Sequence, residues 1–479
     1  MSTQYSRSRR QFLRDAVCSS LAVASSSSVL TQFGMLNTAL AQSSCGSYGA
    51  VSDYKALVCL FLLGGNDSWN LLVPTDAQRY GVYSTSRSSS AGASSSMAIA
   101  QNTLLPVNPL NAGAGETYGL HPSAPELANL FNAGNGAFVV NVGTALQPTS
   151  KTQYLQPGYP LPPQLYSHSD QQAQWAYGQP KQNGTVGWGG LVADRLHVLN
   201  PGALIPMSIS LSGQNRFQAG STVQPYTISS SGPVSLSGYT GSTGPARLTA
   251  LSEMLAETYA DPISRTYAKT VSNALDYYNT MSATLAAAPP LTTTFPANNP
   301  VAAALAEVAK VISMRDMLKA KRQIFFIGFG SFDTHANQLT DQPKLLQTIS
   351  QALGAFYDCT VNDLKIPQSV TTFTLSEFAR TLNSNGDGTD HAWAGIQFVM
   401  GGAVKGQKLY GAPAASGRLF PDQTLNGSDC LSRGQMMPAV SCDQYSATLA
   451  SWLGVQACDI ASIFPYVNNF STSNLGFLG

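Results

Sequence analysis

The chain predicts an α/β fold built on a mainly parallel sheet, and three apolar runs predict it. They are Ala-Leu-Val-Cys-Leu-Phe-Leu-Leu (56–63), Gln-Ile-Phe-Phe-Ile-Gly-Phe (323–329) and Val-Thr-Thr-Phe-Thr-Leu (370–375). A parallel strand covered on both faces reads as such a continuous run, because neither face of it meets water. Each run is followed by acids or imidazoles: Gly64-Gly65-Asn66-Asp67 after the first, Asp333-Thr-His335 after the second, Glu377 with Arg380 and then Asp390-His391 after the third. Ligand sites in open α/β sheets gather at the carboxyl ends of the strands, so the three strand ends predict one site.

The remaining elements follow in order. Leu120-His121-Pro122-Ser123-Ala-Pro125-Glu126 opens a helix, with Ser123 as the expected N-cap and Glu126 at its third position. Gly136-Ala-Phe-Val-Val-Asn-Val-Gly143 is a further buried strand, which completes a strand–helix–strand order. Residues 84–100 are Ser/Ala-rich and read as a surface loop. Ser167-His168-Ser169-Asp170 opens another helix. Residues 203–246 read as a small β-rich insertion, and 248–321 as a helical segment broken by a Pro/Thr-rich connector. Helices are expected over 342–360 and 443–454, and a strand or a close-packed apolar segment after His391.

Ser8-Arg9-Arg10-Gln11-Phe12-Leu13, a weakly apolar stretch and Ala39-Leu40-Ala41 form a twin-arginine export signal over residues 1–41, leaving 42–479 as the mature α/β domain. The expected location is periplasmic or extracellular. The mature sequence has no apolar run long enough to span a bilayer, so no transmembrane segment is expected. Charged residues are only 11% of the chain and the formal net charge is +1, which leaves no basic footprint for nucleic acid. With the signal removed six cysteines remain, an even count that permits disulfides after export. Cys430 and Cys442 bracket one loop and are the expected pair.

Asp67, Asp333, His335, Glu377, Asp390 and His391 form an oxygen and nitrogen ligand set without thiolate. That set predicts one or two divalent ions, Zn, Mn, Ca or Mg. Ser167 stands at a helix mouth, where an anionic ester meets free amides, and is a candidate nucleophile or an ordinary cap. His168 is a candidate ligand or proton-transfer group. Arg380 is a candidate for binding substrate oxygens or for pairing with Glu377.

The ordered series Leu-Gly-Gly-Asn-Asp, Leu-His-Pro, Ser-His-Ser-Asp, Gly-Trp-Gly-Gly, Phe-Asp-Thr-His, Ser-Glu-Phe-Ala-Arg-Thr, Gly-Thr-Asp-His and Gly-Gly-Ala-Val-Lys-Gly resembles the exported bacterial family called domain of unknown function 1501. The resemblance implies a three-layer α/β/α architecture like that of alkaline phosphatases and sulfatases. It also implies metal ligands at Asp67, Asp333, His335, Glu377, Asp390 and His391, with Ser167 near the nucleophile position. Two functional readings follow. One is an exported metal-dependent hydrolase of phosphate or sulfate esters, with an anionic ester as its substrate. The other is a non-catalytic secreted binding or assembly protein that keeps the fold and acts through a secreted partner. A Ser-His-Asp esterase is disfavoured, because no Gly-x-Ser-x-Gly elbow follows a strand.

Overall fold

The computed structural model describes residues 45–88, 96–178, 185–239 and 242–479. The export signal expected over 1–41 lies outside them. The strands, in chain order, are β1 (Lys55–Leu62), β2 (Leu72–Pro74), β3 (Leu105–Val107), β4 (Tyr118–Leu120), β5 (Gly136–Gly143), β6 (Ser208–Ser210), β7 (Tyr226–Ser229), β8 (Gly232–Pro233), β9 (Arg322–Phe329), β10 (Val370–Leu375), β11 (Gly395–Met400), β12 (Leu409–Tyr410) and β13 (Val440–Ser441).

The large sheet runs β12-β5-β11-β10-β1-β9-β6-β7-β8, with β13 also on β5. At its centre β1 pairs in parallel with both β10 and β9, which brings the ends of the three apolar runs side by side. β11 is antiparallel to β10 and to β5, and β8 to β7; the other pairings are parallel. A smaller sheet, β2-β4-β3, lies off this path.

Successive residues of β1 point to opposite faces, and each face is covered. Ala56, Val58, Leu60 and Leu62 join one core with Leu305 and Ile312 of helix Pro300–Ser313, Leu346 and Leu353 of helix Gln338–Asn362, and Leu127 of helix Pro125–Asn132. Leu57, Cys59 and Phe61 join the other, with Trp188 and Val192 of helix Trp188–Leu196 and Tyr445 and Leu449 of helix Cys442–Leu453. The protein is thus a mixed α/β fold with helices on both faces of a mainly parallel sheet. Among the described residues no helix is long and apolar enough to cross a membrane.

Three local expectations meet a different structure, and a fourth, the β-rich stretch, takes a definite place in the sheet. Ala124, not Ser123, precedes helix Pro125–Asn132, and no side chain caps it; the Ser123 amide is taken by His121 Nδ1 at 3.1 Å. Within 203–246, β6, β7 and β8 extend one edge of the main sheet, because β6 finds an open parallel partner in β9. Of the Ser/Ala-rich loop expected over 84–100, residues 84–86 close helix Ala77–Ser86, Met97 is buried, and 89–95 lie outside the described residues. The disulfide joins Cys45 to Cys458, whereas Cys430 and Cys442 are buried free thiols. Spacing favoured a short loop, but Cys430 Sγ faces the Thr424 carbonyl at 3.0 Å and Cys442 begins a helix packed in the second core.

Candidate functional site

The turn after β1 sets the geometry. Gly64 and Gly65 both lie at positive φ, +120° and +84°, where a side chain is strained. A Cβ on Gly64 would stand 2.4 Å from the Asp333 amide nitrogen, and one on Gly65 would stand 2.3 Å from the Phe378 ring. The bare turn therefore lets the loop after β9 and the loop after β10 close on it. Ser376 fixes the second of these: its hydroxyl donates to the Leu62 carbonyl at 2.8 Å and accepts from the Asn66 amide at 2.9 Å. The chain then folds back, with an antiparallel bridge between Arg380 and His391. Helix His168–Tyr177 presents its first residue from the side.

These loops place three imidazoles around one carboxylate. His335 Nε2 and His391 Nε2 lie 3.1 Å and 3.3 Å from Asp333 Oδ1, and His168 Nε2 lies 3.4 Å from Asp333 Oδ2. Each ring is anchored at its other nitrogen. His168 Nδ1 faces Glu377 Oε1 at 2.9 Å, His335 Nδ1 faces Asp390 Oδ1 at 3.0 Å, and His391 Nδ1 faces the Tyr166 carbonyl at 2.8 Å. Those partners are acceptors only, so each contact places a proton on Nδ1 and turns Nε2 toward Asp333, where a bound ion would take the Nε2 lone pairs. The Phe378 ring stacks on His391 at 4.6 Å and packs on His168 at 4.8 Å, which locks both imidazoles.

That arrangement fits a cation. Nε2 of His335 and His391 are 2.9 Å apart, a hydrogen bond when one of them carries a proton and a repulsive contact that a shared cation would relieve when neither does. His168 Nε2 is buried with no hydrogen-bond partner. His168, Asp333 and His391 form a group whose ligand atoms lie within 4.8 Å of one another, close enough to share one metal ion. Imidazole Nε2 with a carboxylate, each ring oriented by an acceptor behind it, is a donor set for Zn or another borderline divalent ion.

Electrostatics keep the donors ready. Burial pushes the Asp333 carboxyl up, but the Arg380 guanidinium beside it, with His335 and His168, holds it net below the usual carboxylate range. Burial likewise opposes ionisation of Asp390, and its bonds to Asn385, Arg433 and His335 pull it below that range. Burial lowers the His391 imidazole, which favours the neutral, ligating form.

The predicted residues take distinct places. Asp333, His335 and His391 meet at the cluster, and His168 joins them. Glu377 and Asp390 stand behind the rings as acceptors. Glu377 is fully buried, and its Oε1 also accepts from the Gly64 amide and Gln172. Arg380 is fully buried beneath Asp333, donating to it and to the carbonyls of Gly64, Gly65, Phe332 and Thr389. Asp67 is held by Arg87 and by Gln338 Nε2 at 2.5 Å, and no hydrogen bond joins it to the imidazoles. Ser167 Oγ donates to Asp170 at 2.5 Å and touches Ser169, and none of its bonds reaches the cluster. The sequence reading missed Tyr166 and Arg433, which pairs with Asp390. Tyr166 acts through its backbone carbonyl at a positive φ of 72°, for which side-chain identity gives no signal.

A family model described as Protein of unknown function (DUF1501) matches residues 54–429, which includes every member of the cluster. The chain belongs to this family. No curated protein matches it. Among solved structures, this family member is similar to a 2-O GAG sulfatase at 8% identity, with 86% of this chain and 71% of that chain covered; the TM-score is 0.28.

Proposed function

We propose that this protein is an exported, divalent-metal-dependent hydrolase of anionic esters, phosphate or sulfate, with an alkaline phosphatase-like arrangement of its site. The observation that carries the reading is the convergence of three anchored imidazole Nε2 atoms on Asp333 at the carboxyl ends of β1, β9 and β10. His168, Asp333 and His391 would hold the ion, with His335 Nε2 within reach as a further ligand. When bound, the ion supplies Lewis-acid polarisation of the ester and activation of water.

The chain's own residues do the rest. Glu377, Asp390 and the Tyr166 carbonyl hold the protons on Nδ1, so the three rings cannot turn their lone pairs away. Arg380 fixes Asp333 in place and is sealed from any substrate. Ser167 stays with Asp170, and water is the attacking group in this reading.

Elemental analysis of the purified protein tests it. We expect about one equivalent of a divalent ion, lost in Asp333→Ala, together with ester hydrolysis that falls by about a thousandfold or more in that variant. An ion-free protein that takes up none on reconstitution would overturn the reading.

A further inference from the structure

We propose that the substrate carries anionic groups beyond the one at the ion, and that Arg216 and Arg433 read them from opposite sides of the site. The inference rests on the metal-dependent ester reading above and names the substrate class for it: a polyanionic ester.

Among the described residues three arginines flank the cluster through their hydrogen bonds, and two of them keep side chains that can meet a ligand. Arg380 is fully buried, and its donors are committed to Asp333 and four carbonyls. Arg433 keeps 43% of its side chain exposed while it pairs through Nη1 with Asp390 Oδ2. Arg216 is exposed and uses Nη1 on the Ser169 carbonyl at 3.1 Å. The two stand on different flanks. His391 packs between the other rings, 4.3 Å from His168 and 4.8 Å from His335. Arg216 holds the residue after His168, and Arg433 holds the acid behind His335.

Arg433 is not placed for the reacting group itself. Arg433 is separated from the converging Nε2 atoms by the Asp390 carboxylate and the whole His335 ring. Its exposed donors are therefore left for a group farther out on the ligand. Backbone geometry holds it there: the Asn383 amide donates to the Arg433 carbonyl at 3.3 Å, and Gly434, at a φ of +75°, packs directly on Leu382. A planar guanidinium with donors to spare is suited to sulfate, phosphate or carboxylate oxygens.

Formal charge points the same way. Arg380, Arg433 and Arg216 offset Asp333, Asp390 and Asp170, the acid held by the Ser167 and Ser169 hydroxyls. Glu377 remains uncompensated, so a divalent ion turns the site from net negative to net positive. Anion capture is then switched on by the ion and extended outward by the two rim arginines.

The test uses the metal-loaded protein and two non-hydrolysable probes, benzenesulfonate and a naphthalene trisulfonate, titrated calorimetrically at two ionic strengths. We expect the trisulfonate to bind at least about tenfold tighter, with a steeper salt dependence. Arg216→Gln and Arg433→Gln should each remove about threefold to tenfold of that preference, and the double variant nearly all of it. Arg433→Lys, which keeps the charge beside Asp390, should retain part. Equal binding of the two probes, or a preference undiminished in the double variant, would overturn the proposal while leaving the metal site standing. Failure of the wild type to take up a divalent ion, or of the loaded protein to bind either probe, would instead remove the ester reading and this inference with it.

Discussion

Asp67 and Asp333 end neighbouring strands of one sheet, each meets an arginine, and they have become opposite things. Asp67 follows β1, is 1% exposed, and is closed in by Arg87, Gln338 and Gln342, the last holding its carbonyl at 2.7 Å. Asp333 follows β9, keeps 45% of its side chain exposed, and looks out on three imidazole Nε2 atoms. An acid at a strand end is therefore not a site by itself. What distinguishes Asp333 is an opening to solvent and nitrogen donors whose orientation is fixed from behind.

The largest expected effect comes from breaking the closed member of the pair. Asp67→Asn leaves the fully buried Arg87 without its counter-charge, and removing one partner of a buried ion pair costs about 3–5 kcal/mol. Urea denaturation of the metal-free protein should show that loss, while metal stoichiometry of the folded variant at low temperature stays that of the wild type. If instead the variant keeps its stability and loses its ion, Asp67 belongs with Asp333 and the distinction collapses.

Much of this fold was legible because a buried parallel strand writes itself as an apolar run. The runs at 136–143 and 370–375 coincide with β5 and β10, and the run at 323–329 starts one residue inside β9. The acid and imidazole motifs were legible for the same reason, since they follow those runs directly. Their division of labour was not. Asp333 and His335 lie in a loop beyond the end of β9, where the direction of a side chain follows turns such as the positive φ of Ser331 at 78° rather than an i, i+2 alternation. The partner of Asp67 arrives from 20 residues away, at the end of a helix whose sequence carries no sign of it. The Cys45–Cys458 disulfide spans 413 residues, a separation at which local spacing says nothing about pairing.

A third acid sharpens the comparison because it has neither arginine nor imidazole. Asp443 is fully buried at the start of helix Cys442–Leu453, and its Oδ2 has no hydrogen-bond partner. Burial pushes its carboxyl up from 3.8 to about 8. A carboxyl raised on folding binds its proton in the native state while the unfolded chain has lost it, so native stability falls as pH rises from about 4 through about 8. At about 1.4 kcal/mol per unit, raising the pH from 5 to 8 should cost the wild type about 4 kcal/mol through this group. Asp443→Asn should lose that much less over the same range. Parallel pH profiles for the two proteins would mean that Asp443 is ionised in place by a partner, as Asp333 is.

The smallest of these effects bears most directly on why the open acid is a site. Glu377 is not one of the three grouped ligands, and the ring it meets is His168, through the 2.9 Å contact between its Oε1 and Nδ1. Glu377→Gln keeps an acceptor oxygen and the volume, and the Gly64 amide and Gln172 still have a group to meet. What it removes is the charge that makes the imidazole a stronger donor and holds its proton on Nδ1. Orienting groups of this kind are worth about tenfold to a hundredfold in metal affinity, so the variant should bind its ion more weakly by that factor while unfolding within about 1 kcal/mol of the wild type in the metal-free state. An unchanged affinity would make Glu377 a purely structural acid like Asp67. A weakened one, with stability kept, would show that the difference between the two strand ends is built one residue behind the ligands, where neither spacing nor motif reveals it.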